Sequence, residues 1–245
     1  GRAGKGADEV QWFEDAMDFT ERVYAPALLR GDRLPARERA SVVRRISKLI
    51  GLPAEQIERC NLRVDLDTFR RSLLADEGLV TGRLDTRFTS AAPLPVQGST
   101  AFFAAEDPAD DAVESVWHAA FRAHLDEIGF AGAPTYLVSN YGKVGVAWNW
   151  THEEPGTEEP ATAPNVTYDI AVAMKRNPTM RLLILGGRYD AATTYWNVVH
   201  DMSCLFLPPA LKERVSYRLY GCGHMAYVDV PTLEAMGADL AEFYA

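Results

Sequence analysis

The chain has 245 residues, of which 47% are apolar and 24% are charged, a composition typical of a folded globular protein and not of a disordered one. Acidic residues outnumber basic ones by 34 to 25, and the net charge of −9 argues against nucleic-acid binding, because contacts with phosphates need a positive surface. No apolar run reaches the roughly 18 residues of a membrane-spanning helix, so the sequence predicts a soluble protein without a membrane partner.

The first third of the chain has the apolar spacing of helices. Prolines stand where two of these helices would begin, and glycines stand where three of them would end. The predicted helices cover residues 8–29, residues 35–50, a short stretch from Pro53, and residues 65–78. The sequence therefore predicts a first, helical domain over residues 1–90.

Residues 79–109 lack periodicity and are predicted to form an extended connection, which a helix over residues 110–128 follows. That helix has its apolar residues on one side, and a closing helix over residues 231–244 is expected to turn its apolar side inward. Between them, strands are predicted to alternate with helices, with the strands at residues 135–138, 181–185 and 214–220. This alternation indicates an α/β domain over residues 91–245, built on a buried parallel sheet.

Two side chains with catalytic potential follow two of the predicted strands. Asp190 comes after the strand at 181–185, and His224 comes after the strand at 214–220. The loops that leave the carboxyl ends of parallel strands converge on the ligand crevice, so these two side chains are candidates for a hydrogen-bonded pair. The alternative is that Asp190 caps the following helix and that His224 only packs near a loop.

Two segments resemble the catalytic loops of the serine carboxypeptidase family, in particular of its bacterial members. Residues 183–194 are similar to the acid loop, and residues 217–228 are similar to the histidine loop. Residues 231–244 fit the family's last helix, while residues 61–64 and 82–88 look like parts of its helical insertion. The resemblance runs from about residue 10 to the end of the chain and is most specific at the two loops.

The resemblance implies the C-terminal part of an α/β-hydrolase fold, with residues 1–90 as a helical cap. It implies Asp190 as the orienting acid and His224 as the general base of a Ser–Asp–His triad. Met225 would line the substrate pocket, as would the loop that carries Trp148 and Asn149, unless those aromatic side chains only pack under the cap. Cys222 would be either a plain buried thiol or a residue that tunes the pocket.

The nucleophile that this family needs is not found in the sequence. The family carries its serine on a Gly-x-Ser-x-Gly elbow, and no serine of this chain has that surrounding. We expect the serine to lie on a preceding segment or on a second chain. A second chain would make the protein a heterodimer. That polypeptide would also cover the apolar sheet, which three strands alone would leave open. The alternative is a solitary chain without catalysis.

The expected activity is the removal of C-terminal residues from peptides by a serine hydrolase. An acyltransferase or esterase on the same scaffold is the alternative enzyme, and a non-catalytic interaction protein is the alternative outside enzymes. No cofactor is expected. No metal site is expected either, because the cysteines at 60, 204 and 222 form no Cys-x-x-Cys motif and the other four histidines are isolated in sequence.

The cellular compartment stays open. The low cysteine count favours the cytoplasm, whereas a secretory leader on a preceding segment would allow secretion. The opening Gly1–Gly6 lacks both an initiator Met and a signal peptide. It is either an expression remnant or a frayed end, or a sign that another segment precedes it.

Overall fold

A computed structural model describes residues 8–92, 107–132, 135–137, 140–158 and 164–245. Over these residues the chain is a mixture of helices and small sheets, with 57% of the residues helical and 9% in strands, so helices dominate the described structure. The chain divides into two compact units. Of the described residues, the first unit contains those up to Ala109 and two short loops, Arg188–Ala192 and Cys222–Met225, and the second unit contains the others.

The helices of the first unit correspond to the predicted helical stretches, although the helix predicted over residues 65–78 ends earlier, at Ser72. They are α1 (Glu9–Phe19), which a π-helical turn at Thr20–Tyr24 joins to α2 (Ala25–Arg30), then α3 (Ala36–Ile50), α4 (Ala54–Arg59) and α5 (Leu66–Ser72). Gly51 ends α3 with a φ of 76°, a left-handed conformation that favours glycine. The Asp65 carboxylate caps α5 by accepting a hydrogen bond from the backbone N–H of Thr68 at 2.9 Å.

One apolar cluster holds these helices together. Ile57 is fully buried at 0% exposure, and Leu52 is 2% exposed. The other buried members come from the inner sides of the helices and the loops between them: Phe19, Ala27, Leu34, Val42, Val43, Ile46, Leu49, Leu62 and Leu73. Burial of these side chains supplies the main driving force for folding of the first unit.

A short antiparallel hairpin follows the helices. Strand β1 (Leu79–Thr81) pairs with β2 (Thr89–Ala91), so part of the predicted extended connection is a small sheet. The Arg70 guanidinium donates a hydrogen bond from Nε to the carbonyl of Thr81 at 2.8 Å, which ties α5 to β1. The rest of the predicted connection, residues 93–106, lies outside the described residues.

The second unit contains a two-stranded parallel sheet. Strand β3 (Leu182–Gly187) pairs with β4 (Val215–Tyr220), in a register that runs from Leu182 opposite Val215 to Gly187 opposite Tyr220. The helices numbered after α5 are α6 (Pro108–Asp111), α7 (Glu114–Glu127), α8 (Tyr141–Ala147), α9 (Thr167–Arg176), α10 (Tyr195–Cys204), α11 (Pro209–Lys212) and α12 (Val230–Tyr244).

Two polar clusters fix helices to this sheet. The Arg214 guanidinium, just before β4, donates to the backbone carbonyls of Met174, Asn177, Pro178 and Met180 at 2.8–3.1 Å, and these carbonyls include the end of α9. On the other side, Asp239 of α12 accepts hydrogen bonds from Arg218 at 2.9 Å and from the Tyr220 hydroxyl at 2.7 Å. Both clusters join residues that are far apart in sequence.

Three sequence expectations for the second unit are wrong. The described part of the predicted strand at 135–138, Thr135–Leu137, forms no strand. Leu233 of α12, expected to face inward, is 43% exposed. Strand β3, expected to be buried, is only half-buried, because an apolar run shows that a strand favours burial but not what covers it.

Candidate functional site

The structure brings Asp190 and His224 together in the first unit. Nδ1 of His224 lies 2.9 Å from Oδ2 of Asp190, within hydrogen-bond distance. The Asp190 side chain is 5% exposed, whereas the His224 side chain is 44% exposed. The pair therefore combines a buried carboxylate with an imidazole that reaches the surface of the chain.

The geometry of the pair assigns different tasks to its atoms. An ionised carboxylate only accepts hydrogen bonds, so the Asp190 side chain favours the imidazole form that carries its proton on Nδ1. The second oxygen of the carboxylate, Oδ1, accepts the backbone N–H of Ala192 at 2.8 Å, which fixes the orientation of the acid. Nε2 of His224 is then the nitrogen that can accept a proton from a reacting group.

A backbone segment from the first unit holds both loops in place. The N–H of His224 donates to the carbonyl of Leu84 at 2.7 Å, and the N–H of Ala191 donates to the carbonyl of Arg83 at 3.1 Å. The N–H of Thr86 donates to the carbonyl of Tyr189 at 3.0 Å. Residues 83–87, which we call the bracket segment, therefore contact the acid loop and the histidine loop at once.

Asp85 lies at the centre of the bracket segment and is 3% exposed. Its carboxylate accepts the backbone N–H of Arg87 at 2.9 Å and pairs with the Arg87 guanidinium, whose Nη2 lies 2.7 Å away. A Cβ added at Gly223 would stand 2.4 Å from the Cβ of Asp85, a distance that real Cβ atoms do not adopt. Glycine is therefore required beside His224 for this close approach.

Asp107 anchors the bracket segment at its start. Its carboxylate accepts the backbone N–H groups of Arg83 and Leu84, both at 3.0 Å. The sequence does not indicate the roles of Asp107, Leu84 and Asp85, because their partners are distant in sequence. The one signal in the sequence is the stretch at 82–88, which resembles part of the helical insertion.

Tyr189, the residue before Asp190, belongs to a charged network on the acid loop. Its hydroxyl donates a hydrogen bond to Glu9 of α1, and the Arg87 guanidinium lies over its ring at 4.6 Å from the ring centre. Burial, and next the hydrogen bond to Glu9, raise the pKa of Tyr189 above its ordinary value. Arg188 lies 3.7 Å from the same Glu9 carboxylate.

The other predicted site residues have no tested role. Met225 and Cys222 lie on either side of His224 in the histidine loop and are buried, at 8% and 1% exposure. Trp148 and Asn149 belong to the second unit, where Trp148 is 59% exposed. Their parts in substrate binding stay predictions.

His152, which is isolated in the sequence, has a partner in the structure. Its Nε2 lies 2.8 Å from a carboxylate oxygen of Asp169 at the start of α9. Within the described residues, no group of three or more His, Cys, Asp or Glu side chains is placed to hold a metal ion. Among the same described residues, no helix has the length and apolarity needed to cross a membrane.

Comparisons of the chain with known protein families, with curated proteins and with solved structures find no match. The functional assignment therefore depends on the site geometry and on the resemblance stated from the sequence.

Proposed function

We propose that the chain supplies the acid and the base of a serine hydrolase that removes C-terminal residues from peptides. The observation that carries the proposal is the 2.9 Å contact between Nδ1 of His224 and Oδ2 of Asp190. Burial of the acid and exposure of the base add support, because a general base must reach the substrate while its orienting carboxylate need not.

In this proposal a serine hydroxyl, donated by another segment or polypeptide, attacks the carbonyl carbon of the last peptide bond. Nε2 of His224 takes the hydroxyl proton and passes it to the departing amine as the C–N bond breaks. Water then attacks the acyl-serine ester with the same nitrogen as base, which releases the shortened peptide and restores the hydroxyl. Asp190 stabilises the imidazolium that forms at each step.

The proposed scaffold is the C-terminal part of an α/β-hydrolase fold. Two features support it: β3 and β4 are parallel, and each is followed within four residues by one member of the pair. In such folds the acid and the histidine come from loops beyond the carboxyl ends of neighbouring strands. The described sheet has two strands, and the proposal assigns further strands to the polypeptide that carries the serine.

Exposed apolar side chains of the second unit support a large partner. Leu185 of the parallel sheet is 37% exposed, and Val116 of α7 and Val230 of α12 are 65% and 64% exposed. Parallel sheets are normally covered on both faces, and apolar patches of this kind mark protein interfaces. We propose that the polypeptide with the serine covers these surfaces.

The test uses protein purified from the cells that make it, so that any natural partner is retained. We expect this protein to release C-terminal residues from peptides with a blocked N-terminus. Mass spectrometry detects the shortened peptides. We expect Asp190→Asn to lower the rate by about 10⁴-fold, because the amide favours the wrong imidazole tautomer. Asp169→Asn, which alters the other His–Asp pair at His152, is the matched control and should leave the rate unchanged.

Added alcohols and amines separate the enzymatic alternatives. Acyl products on these nucleophiles, formed faster than hydrolysis products, would identify an acyltransferase instead of a peptidase. No turnover of any peptide or ester by the purified protein would overturn the enzymatic proposal and favour an interaction protein.

A further inference from the structure

We propose that Asp85 is a positioning residue for the His224 imidazole. Through its ion pair with Arg87, Asp85 would keep the bracket segment in the backbone conformation that contacts both the acid loop and the histidine loop. The inference rests on the proposed function, in which the orientation of His224 decides the rate.

The bracket segment is in direct contact with the loops that carry Asp190 and His224. The carbonyl of Leu84 accepts the backbone N–H of His224 itself, at 2.7 Å, and the carbonyl of Arg83 accepts the N–H of Ala191, next to the acid. A shift of residues 83–84 would therefore move the two loops relative to each other. Displacements of an ångström between catalytic groups are costly for rate.

Asp85 lies next to the residues that make these contacts, and its side chain is held in place. Its carboxylate is held by the backbone N–H and by the guanidinium of Arg87, with three contacts of 2.7–3.0 Å. The Asp85 side chain is only 5% exposed, and a buried carboxylate of this kind needs its charged partner. The ion pair consequently fixes the turn that presents the Leu84 carbonyl.

Close packing leaves no space between Asp85 and the backbone next to His224. The space for a Cβ at Gly223 is filled by the Asp85 side chain, at 2.4 Å from its Cβ and 2.7 Å from its Cγ. Because Gly223 packs directly on Asp85, any movement of Asp85 is transmitted to the backbone that carries His224. Arg87 extends the coupling to the acid loop through its contact with the Tyr189 ring, at 4.6 Å.

The test is NMR spectroscopy at alkaline pH of ¹⁵N-histidine-labelled protein purified from the cells that make it, with any natural partner retained, which reports the tautomer of His224 without any substrate. We expect a proton on Nδ1 in the wild-type chain, and loss of that signal or a mixture of tautomers in Asp85→Asn. Asp65→Ala is the destabilised control, because it removes a helix cap elsewhere in the first unit and should keep the Nδ1 proton.

A second variant keeps the inference testable if Asp85→Asn does not fold. Arg87→Gln changes the partner of Asp85 at a side chain that is 38% exposed, and it should disturb the same signal. A wild-type chain with no proton on Nδ1 would overturn the proposed function. A wild-type signal that persists unchanged in Asp85→Asn and Arg87→Gln would overturn this inference alone.

Discussion

Gly223 packs directly against Asp85, so closely that a methyl group at Gly223 would also lie 2.5 Å from the carbonyl oxygen of Leu84. Gly223→Ala should therefore destabilise the first unit by about 1–3 kcal/mol, the usual cost of overpacking. It should also displace the His224 backbone, whose N–H bonds to that carbonyl. Urea unfolding measures the first effect, and the His224 amide chemical shift measures the second.

Gly221→Ala is the matched control, because a Cβ at Gly221 would meet no atom within 4 Å. It should change the unfolding free energy by less than about 0.5 kcal/mol and leave the His224 amide in place. Equal effects of the two substitutions would contradict the close packing of Gly223 on Asp85.

The core of the first unit should be most sensitive at Ile57, which has 0% exposure. Ile57→Ala removes buried methyl and methylene groups and leaves a cavity, at a cost of about 2–5 kcal/mol in the free energy of unfolding. Leu29→Ala, at a side chain with 83% exposure, should change that free energy by less than about 0.5 kcal/mol. Thermal unfolding of both variants checks the contrast, and a small loss at Ile57 would contradict the described core.

Titration of Tyr189 should report its contact with Glu9. Burial and the hydrogen bond to Glu9 raise the pKa of Tyr189 above the ordinary 10.0, so the folded chain holds this proton more tightly than the unfolded chain does. The resulting stabilisation is present below pH 10.0 and is lost as the pH rises through the raised pKa. Glu9→Gln should lower the pKa of Tyr189, as followed by ¹³C NMR of the ring carbon that bears the hydroxyl. An unchanged titration would show that the Glu9 contact does not act on Tyr189.

The cap of α5 should make stability depend on pH in the acid range. Hydrogen bonds from the side chain and the backbone of Thr68 lower the pKa of Asp65 below its ordinary 3.8. The stabilisation by Asp65 is therefore present above pH 3.8 and is lost as the pH falls through the lowered pKa. Asp65→Ala should cost about 1 kcal/mol at neutral pH, and this difference from the wild type should shrink on acidification. A difference that stays constant with pH would contradict the charged cap.

Local signals account for the parts of the structure that the sequence predicts. Gly31 and Gly51 end helices because both adopt positive φ, and Asp65 begins α5 because its side chain satisfies a free N–H group there. Asp190 and His224 could be paired from the sequence because each follows a predicted strand. In all these cases the deciding interaction lies within a few residues or follows from strand order.

Long-range contacts account for what the sequence did not predict. Nothing local in residues 83–87 indicates that the Leu84 carbonyl accepts the N–H of His224, which is 140 positions away in the chain. The apolar spacing of α7 puts Trp117, Phe121 and Leu125 on one side, yet only Leu125 of these three is buried in the described chain. Periodicity identifies a face that favours burial, and only the tertiary structure shows whether a partner covers it.

Fluorophosphonate labelling tests the central claim most directly, because the probe reacts with a serine only when a neighbouring base activates it. In protein purified from the cells that make it, we predict one labelled serine on a copurifying segment or chain. His224→Ala should abolish the labelling, and Asp190→Asn should reduce it strongly, while Asp169→Asn should leave it unchanged. Absence of any labelled serine, or labelling that persists in His224→Ala, would contradict the account.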